Sequence, residues 1–123
     1  MSSEELYQEF ILELYKNPIN FGKLESQTHH AESYNPLCGD KVELFLKIEN
    51  NQVTKATFIG SGCAISQATT SLLTEEIKGK TMEELKKMQK DDILKVLKID
   101  LSKNPSRLKC ALLSLEVLKK AIA

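Results

Sequence analysis

Residues 38–63 have the sequence CGDKVELFLKIENNQVTKATFIGSGC, which places two extended segments between two cysteines. In the first segment, apolar residues alternate with mostly charged ones, at Val42, Leu44, Leu46 and Ile48. A period of two is typical of a strand with one buried face. Asn50-Asn51 then supplies a two-residue turn, because asparagine tolerates positive φ, and a second strand follows from about Val53 to Ile59. The stretch therefore predicts a β-hairpin.

The hairpin brings candidate ligands together at its open end. Cys38 and Cys63 are equally far in sequence from the centre of the turn, on opposite arms, with Asp40 between them. Folding of the hairpin therefore places these three residues at the same edge. Cys110 lies near the start of the last predicted helix and can approach that edge. We expect Cys38, Asp40, Cys63 and Cys110 to converge on one metal ion or cluster.

Each cysteine stands where its thiol can become a thiolate, the form that acts as nucleophile and metal ligand. Cys63 is at the start of a predicted helix, where the dipole favours negative charge. Cys110 follows Arg107 by one helical turn, and Cys38 lies in a loop next to a glycine. The alternative is that all three are small buried apolar residues, which is common for single cysteines. Three cysteines at three element ends make that alternative weaker.

The four candidate ligands have a definite chemistry. Three soft sulfurs suit an iron–sulfur cluster or zinc, whereas the hard carboxylate of Asp40 binds either one less firmly than a fourth thiolate would. Such a set leaves one corner that can exchange, which favours a protein that builds something on the site and gives it away. His29 and His30 are adjacent, so on a strand they point to opposite faces. We expect them to be a solvent-exposed pair outside the site.

Composition limits the class of protein. The 123 residues predict a single domain over 1–123, and the 17 basic residues equal the 17 acidic ones. A neutral chain without Trp gives no general attraction for nucleic acid and no base-stacking platform. There is no leader-like start and no apolar run long enough for a bilayer, so we expect a cytoplasmic protein without a membrane partner. An odd number of cysteines, three, fits poorly with a disulfide framework.

The remaining patterns predict helices around the hairpin. The first helix ends at Asn17-Pro18, and an edge strand is expected near Glu25 to Glu32. A helix from about Cys63 to Lys78 and a short one capped by Thr81 and Glu84 follow the hairpin. The last helix begins at Asn104-Pro105, and its predicted core stripe is Leu108, Leu112, Leu115, Leu118 and Ile122. The predicted class is α+β: a small antiparallel three-stranded sheet with helices on one side and a long C-terminal helix.

The chain resembles the U-type iron–sulfur cluster assembly scaffolds IscU, SufU and the amino-terminal domain of NifU. The shared motifs are Leu14-Tyr15-Lys16-Asn17-Pro18 before Asn20 and Gly22, Asn35-Pro36 with Cys38-Gly39-Asp40, Gly60-Ser61-Gly62-Cys63-Ala64-Ile65-Ser66, and Pro105, Arg107 and Cys110.

The resemblance implies a scaffold without catalytic turnover of its own. Such a scaffold receives sulfur as persulfide from a cysteine desulfurase and iron from an iron donor. It then passes a cluster, expected to be [2Fe-2S], to recipient apo-proteins. It also implies that Cys38, Asp40, Cys63 and Cys110 occupy the ligand positions. Any of the three cysteines is a candidate sulfur acceptor, and a homodimer is left open.

Two departures keep a second function in view. The IscU branch has a histidine before the third cysteine, whereas here that residue is Lys109, as in SufU, whose members bind zinc and relay sulfur. Yet the interval from Cys63 to Cys110 is short, and SufU-type proteins carry an extra segment there. The Leu-Pro-Pro-Val-Lys segment that IscU offers to an Hsp70-type chaperone is replaced here by residues 104–109. A zinc-bound sulfur acceptor acting as a sulfurtransferase is therefore the alternative. A structural zinc module is disfavoured, because the chain has no close Cys-x2-Cys pair.

Overall fold

The computed structural model describes residues 3–36, 39–97 and 104–123. In these ranges helices surround a hairpin-based sheet, in the chain order α1 (Ser3–Lys16), β1 (His29–Asn35), β2 (Asp40–Glu49), β3 (Gln52–Ser61), α2 (Ala64–Glu76), α3 (Met82–Lys87), α4 (Lys90–Leu97) and α5 (Pro105–Ile122). The predicted α+β class with a three-stranded antiparallel sheet and a long C-terminal helix is confirmed. None of the helices in the described part of the chain has the length and apolarity needed to cross a membrane.

The sheet has the order β1-β2-β3, with both neighbouring pairs antiparallel. The central strand buries Val42, Leu44 and Leu46 completely, as the alternation predicts. Asn50 and Asn51 have φ angles of 51° and 63°, the left-handed pair that a two-residue hairpin turn requires. The hairpin is therefore encoded locally, by the strand period and by the turn residues.

One irregularity shifts the register of the hairpin. Lys47 is opposite Lys55, but Ile48 is opposite Val53, so Thr54 is an extra residue in β3. The Thr54 hydroxyl donates to the carbonyl of Lys47 at 3.1 Å, which holds the bulge in place. Beyond the bulge the pairing is displaced by one residue from the symmetric count that the sequence suggests. Both arms still end at the same edge of the sheet.

The edge strand β1 begins later than expected. The strand predicted near Glu25 to Glu32 is found at His29–Asn35. The physical reason is a turn, in which the N–H of Gln27 donates to the carbonyl of Leu24 before the chain enters the sheet. The shifted strand ends at Asn35, which pairs with Asp40. The end of β1 therefore lies beside the start of β2, at the open end of the hairpin.

Helix α2 is the centre of the helical layer and contacts α1, α4, α5 and the sheet. Its buried residues are not confined to one stripe, as they would be in an amphipathic helix, and several of them carry hydroxyl groups. These hydroxyls are satisfied by backbone carbonyls: Thr69 donates to Ile65 at 2.5 Å and Thr70 donates to Ser66 at 2.8 Å. Internal bonding of this kind removes the cost of burying a polar group.

Helix α5 packs on β1 and β2 with a face different from the predicted one. Leu118 and Ile122 are buried as expected, but Leu108, Leu112 and Leu115 are only partly buried. The buried face of the helix also includes residues outside the predicted stripe: Cys110, Ala111, Leu113, Ser114, Val117 and Ala121. The predicted stripe is only partly correct: all five of its residues contact the core, but the helix is rotated so that residues beside the stripe are buried more deeply than its first three leucines. This rotation turns Cys110 inward.

Candidate metal centre

Three of the four predicted ligands meet at the open end of the hairpin. Asp40 is the first residue of β2, Cys63 is the N-cap of α2, and Cys110 lies in the second turn of α5. One carboxylate oxygen and the two Sγ atoms all lie within 4.8 Å of one another. Asp40 is fully buried, Cys110 is 5% exposed, and Cys63 is partly exposed. Cys38 lies outside the described residues, so its place in the site stays a prediction.

Cys63 is held by contacts to both its backbone and its sulfur. Its N–H donates to Asp40 Oδ1 at 2.7 Å, and its thiol lies 3.5 Å from Asp40 Oδ2. The Sγ atom accepts the N–H of Ser66 at 3.5 Å, so the cysteine caps the helix as a serine or aspartate usually does.

The two oxygens of Asp40 have different tasks. Oδ1 accepts the N–H of Cys63, whereas Oδ2 faces the thiol of the same cysteine. The carboxylate also fills the space beside Gly62, because a Cβ atom on that glycine would overlap Asp40. Gly62 has a φ of 128°, a conformation that other residues rarely adopt. A glycine is therefore required for the chain to pass over the buried carboxylate.

The donor set fits a soft metal ion. A tetrahedral zinc ion with bonds of about 2.0–2.3 Å separates its ligand atoms by roughly 3.5–3.8 Å. The observed donors, within 4.8 Å of one another, therefore need to close by only about 1 Å around such an ion. Two sulfurs and one carboxylate also leave a further position for another ligand. Asp40, Cys63 and Cys110 could hold zinc or the iron of a cluster.

The other residues singled out in the sequence lie around or away from this centre. Arg107 and Lys109 are exposed on the first turns of α5. His30 pairs with Glu43 at 2.6 Å and its ring packs on Phe45 at a centroid distance of 4.9 Å. His29 is opposite Leu46, six residues along β2 from Asp40, which corresponds to about 20 Å. The histidines are thus far from the candidate metal centre.

Sequence patterns missed two polar residues behind Cys63. Ser66 is completely buried and its hydroxyl donates to the carbonyl of Cys63 at 3.0 Å. Gln67 is 5% exposed and its amide donates to the carbonyl of Ser61 at 3.2 Å. Ser66 stands in the motif around Cys63, but its bond is not the one of a capping box, because its hydroxyl donates to the carbonyl of the N-cap residue. Gln67 carries no sequence signal, since its partner is known only once the turn is folded.

Comparison with known proteins identifies the family. The family model of the NifU-like N-terminal domain matches residues 6–123. The chain belongs to this family. Among relatives of the NifU-like domain, the zinc-dependent sulfurtransferase SufU of Bacillus subtilis is 37% identical over 135 residues, covering 98% of this chain and 91% of its own. The iron–sulfur cluster assembly scaffold protein IscU of Thermotoga maritima is 37% identical over 132 residues, covering 95% and 92%.

Solved structures show the same NifU-like fold. A SufU scaffold protein from Fervidobacterium islandicum AW-1 superposes with a TM-score of 0.80 at 31% identity, covering 99% of this chain and 100% of its own. The N-terminal domain of a NifU-like protein from Brucella abortus has a TM-score of 0.78 at 22% identity, which supports the fold alone. The resemblance inferred from the cysteine motifs is confirmed.

Gly62→Ala should disrupt the centre, because the new methyl group overlaps Asp40 and the φ angle is strained. We expect a loss of roughly 2–4 kcal/mol in the free energy of unfolding, measured by urea denaturation, and weakened zinc binding. Gly79→Ala is the matched control, because Gly79 has a φ of 84° but nothing within 4 Å of the added Cβ. It should cost only about 1–2 kcal/mol and leave zinc binding unchanged. Equal effects of the two substitutions would contradict the role of the Gly62–Asp40 contact.

Proposed function

We propose that this chain is a scaffold on which iron–sulfur clusters are assembled and from which they are transferred to apo-proteins. The observation that carries the proposal is the convergence of Asp40, Cys63 and Cys110 at one edge of the fold. Membership of the NifU-like N-terminal domain family and the similarity to IscU of Thermotoga maritima support it. The cluster is the cargo of the protein, so a site that holds it firmly enough to build it must also let it go.

The proposed ligand set is Cys38, Asp40, Cys63 and Cys110. The thiolates would bind iron, and Asp40 would bind through one oxygen, because its Oδ1 already accepts the N–H of Cys63. A hard ligand on an iron that sulfur otherwise surrounds is the weakest of the four bonds. Asp40 is therefore the corner at which a recipient protein can enter.

Sulfur would enter through a cysteine thiolate. In this step the thiolate attacks the outer sulfur of a persulfide on the desulfurase, the sulfur–sulfur bond breaks, and the desulfurase cysteine leaves as a thiolate. Of the two described cysteines, Cys63 is partly exposed and Cys110 is buried. Cys63 is thus the more accessible of this pair. Cys38, Cys63 and Cys110 are all candidates for the first acceptor.

The proposed partners follow from this cycle: a cysteine desulfurase, an iron donor and recipient apo-proteins. A cytoplasmic location and a homodimer stay predictions.

A second candidate function is a zinc-bound sulfur acceptor that relays persulfide as a sulfurtransferase. It is supported by the similarity to the zinc-dependent sulfurtransferase SufU of Bacillus subtilis and by Lys109, which stands in the position before the third cysteine. The same donor atoms suit zinc, so the bound species distinguishes the two functions.

The deciding experiment is purification without oxygen, followed by an ultraviolet–visible spectrum and analysis of iron, sulfide and zinc. A scaffold is expected to show visible sulfur-to-iron absorption, with equal iron and sulfide, after incubation with a desulfurase, cysteine, ferrous iron and a thiol reductant, which supplies the electrons that convert persulfide sulfur to sulfide. Stoichiometric zinc that iron does not replace, without visible bands, would favour the sulfurtransferase. Cys63→Ser is the control and should lose the chromophore. A protein that binds neither metal under these conditions would contradict both functions.

Asp40 is expected to govern release of the cluster. Asp40→Asn keeps an oxygen that can accept the N–H of Cys63 but lacks the carboxylate ligand, whereas Asp40→Ala removes both. Both variants should transfer clusters to an apo-ferredoxin more slowly and keep their chromophore longer in air. Asp40→Ala should in addition lose about 1–2 kcal/mol of stability in urea. Transfer from Asp40→Asn that equals or exceeds the wild-type rate would contradict this role.

Lys109 is expected to assist sulfur entry without binding the metal. Its ammonium group has no lone pair at neutral pH, but its charge is exposed next to Cys110 and attracts an anionic persulfide. Lys109→Ala should leave the metal content unchanged and slow sulfur acceptance from the desulfurase by roughly threefold at low salt. Lys120→Ala, also on α5 but in its last turn, is the control and should have no effect. Loss of metal in Lys109→Ala would show that the lysine is a ligand.

A further inference from the structure

The turn that presents Cys63 rests on a buried glutamine. Gln67 is the fourth residue of α2 and is 5% exposed. Its Nε2 donates to the carbonyl of Ser61 at 3.2 Å and to the hydroxyl of Ser66 at 3.1 Å. Its side chain therefore connects the end of β3 with the start of the helix that follows. Cys63 lies between these two contacts along the chain.

The backbone of the turn is packed tightly against this side chain. A Cβ atom on Gly60 would stand 2.7 Å from Gln67 Oε1 and 2.5 Å from the carbonyl oxygen of Lys41. Gly60 is thus enclosed between the glutamine and the neighbouring strand. Close contact on both sides leaves the peptide units of residues 60–62 little room to move.

Cys63 is consequently fixed from three directions. Asp40 accepts its N–H, and Ser66 contacts both its Sγ atom and its carbonyl oxygen. Gln67 adds the third contact by holding Ser61, two residues before the cysteine. The Ser66 hydroxyl, which donates to the carbonyl of Cys63, itself accepts from Gln67, so the second and third contacts are coupled. Removal of Gln67 therefore weakens both.

Packing alone does not require a glutamine here. An apolar side chain of the same size would fill the space, and burial of an amide costs free energy that only its hydrogen bonds offset. Both of its bonds go to groups that define the position of Cys63. We propose that Gln67 is a positioning residue, which keeps the Cys63 thiol within reach of Asp40 and Cys110.

The metal-binding part of this inference rests on the proposed function, so one readout is chosen that needs no metal. In metal-free protein, the rate at which iodoacetamide alkylates Cys63 is followed by mass spectrometry of the peptide that contains it. In parallel, zinc affinity is measured by competition with a chromogenic chelator. Partners that orient a metal ligand typically affect metal affinity by about 10- to 100-fold.

The test variant is Gln67→Leu, which keeps the volume and removes the hydrogen-bonding groups. The matched control is Thr69→Val, because Thr69 is also buried on α2 and its hydroxyl donates to Ile65 within the helix. We expect iodoacetamide to alkylate Cys63 severalfold faster in Gln67→Leu than in the wild type. We also expect this variant to bind zinc about 10- to 100-fold more weakly. Thr69→Val should match the wild type in both measurements, even where urea denaturation shows an equal loss of stability.

Wild-type alkylation rate and zinc affinity in Gln67→Leu would overturn the proposal. So would equal changes in Thr69→Val, because Gln67 would then act only through the stability of α2. Absence of zinc binding by the wild-type protein would count against the metal centre and not against Gln67. In that case the alkylation rates alone decide: a faster rate confined to Gln67→Leu supports the positioning role, and an unchanged rate overturns it.

Discussion

The hydrogen bond from the N–H of Cys63 to Asp40 Oδ1, at 2.7 Å, is the interaction on which the candidate metal centre depends. It joins the first residue of β2 to the N-cap of α2 and so closes the open end of the hairpin. The carboxylate is fully buried, and burial of a charge is costly unless it is hydrogen-bonded. The nearby positive end of α2 and the Cys63 amide supply that compensation. Because the buried Asp40 carboxylate needs the N–H of Cys63 as a hydrogen-bond donor, this bond fixes the position of Cys63.

Under the proposed function, the same bond would let the Asp40 carboxylate act as the exchangeable ligand. One oxygen of Asp40 is committed to the fold, and the other is left for the metal. A ligand tied to the backbone stays in place when the metal leaves, so the site does not collapse between loading and release. The two described cysteines differ in access, since Cys63 is partly exposed whereas Cys110 is on the buried face of α5. The centre thus has an accessible side and a closed side.

Helix α2 is built to support this centre. A helix whose N-cap is a potential ligand must hold its first turn rigidly, and buried hydroxyls and an amide do so with directional bonds that apolar packing lacks. These groups bond to backbone carbonyls, so the helix carries many polar residues inside the fold without leaving their bonds unmet. The bulge at Thr54 contributes from the other side, because it sets which residues of β3 reach Asp40.

The sequence by itself determined the features that depend on neighbours in the chain. The alternation in residues 42–48, the turn at Asn50-Asn51, the capping box of Thr81 and Glu84, and the helix start at Asn104-Pro105 are all local, and each is found in the structure. The motifs around the cysteines were specific enough to predict the family. Only the tertiary structure decided the bulge at Thr54, the inward rotation of α5, and the support that Ser66 and Gln67 give to Cys63. The rotation of α5 depends on packing against strands that are far apart from it in sequence. The bulge and the contacts of Ser66 and Gln67 join residues close in sequence, but their geometry exists only once the strands and the turn at Gly60 and Gly62 have folded, so no local pattern encodes it.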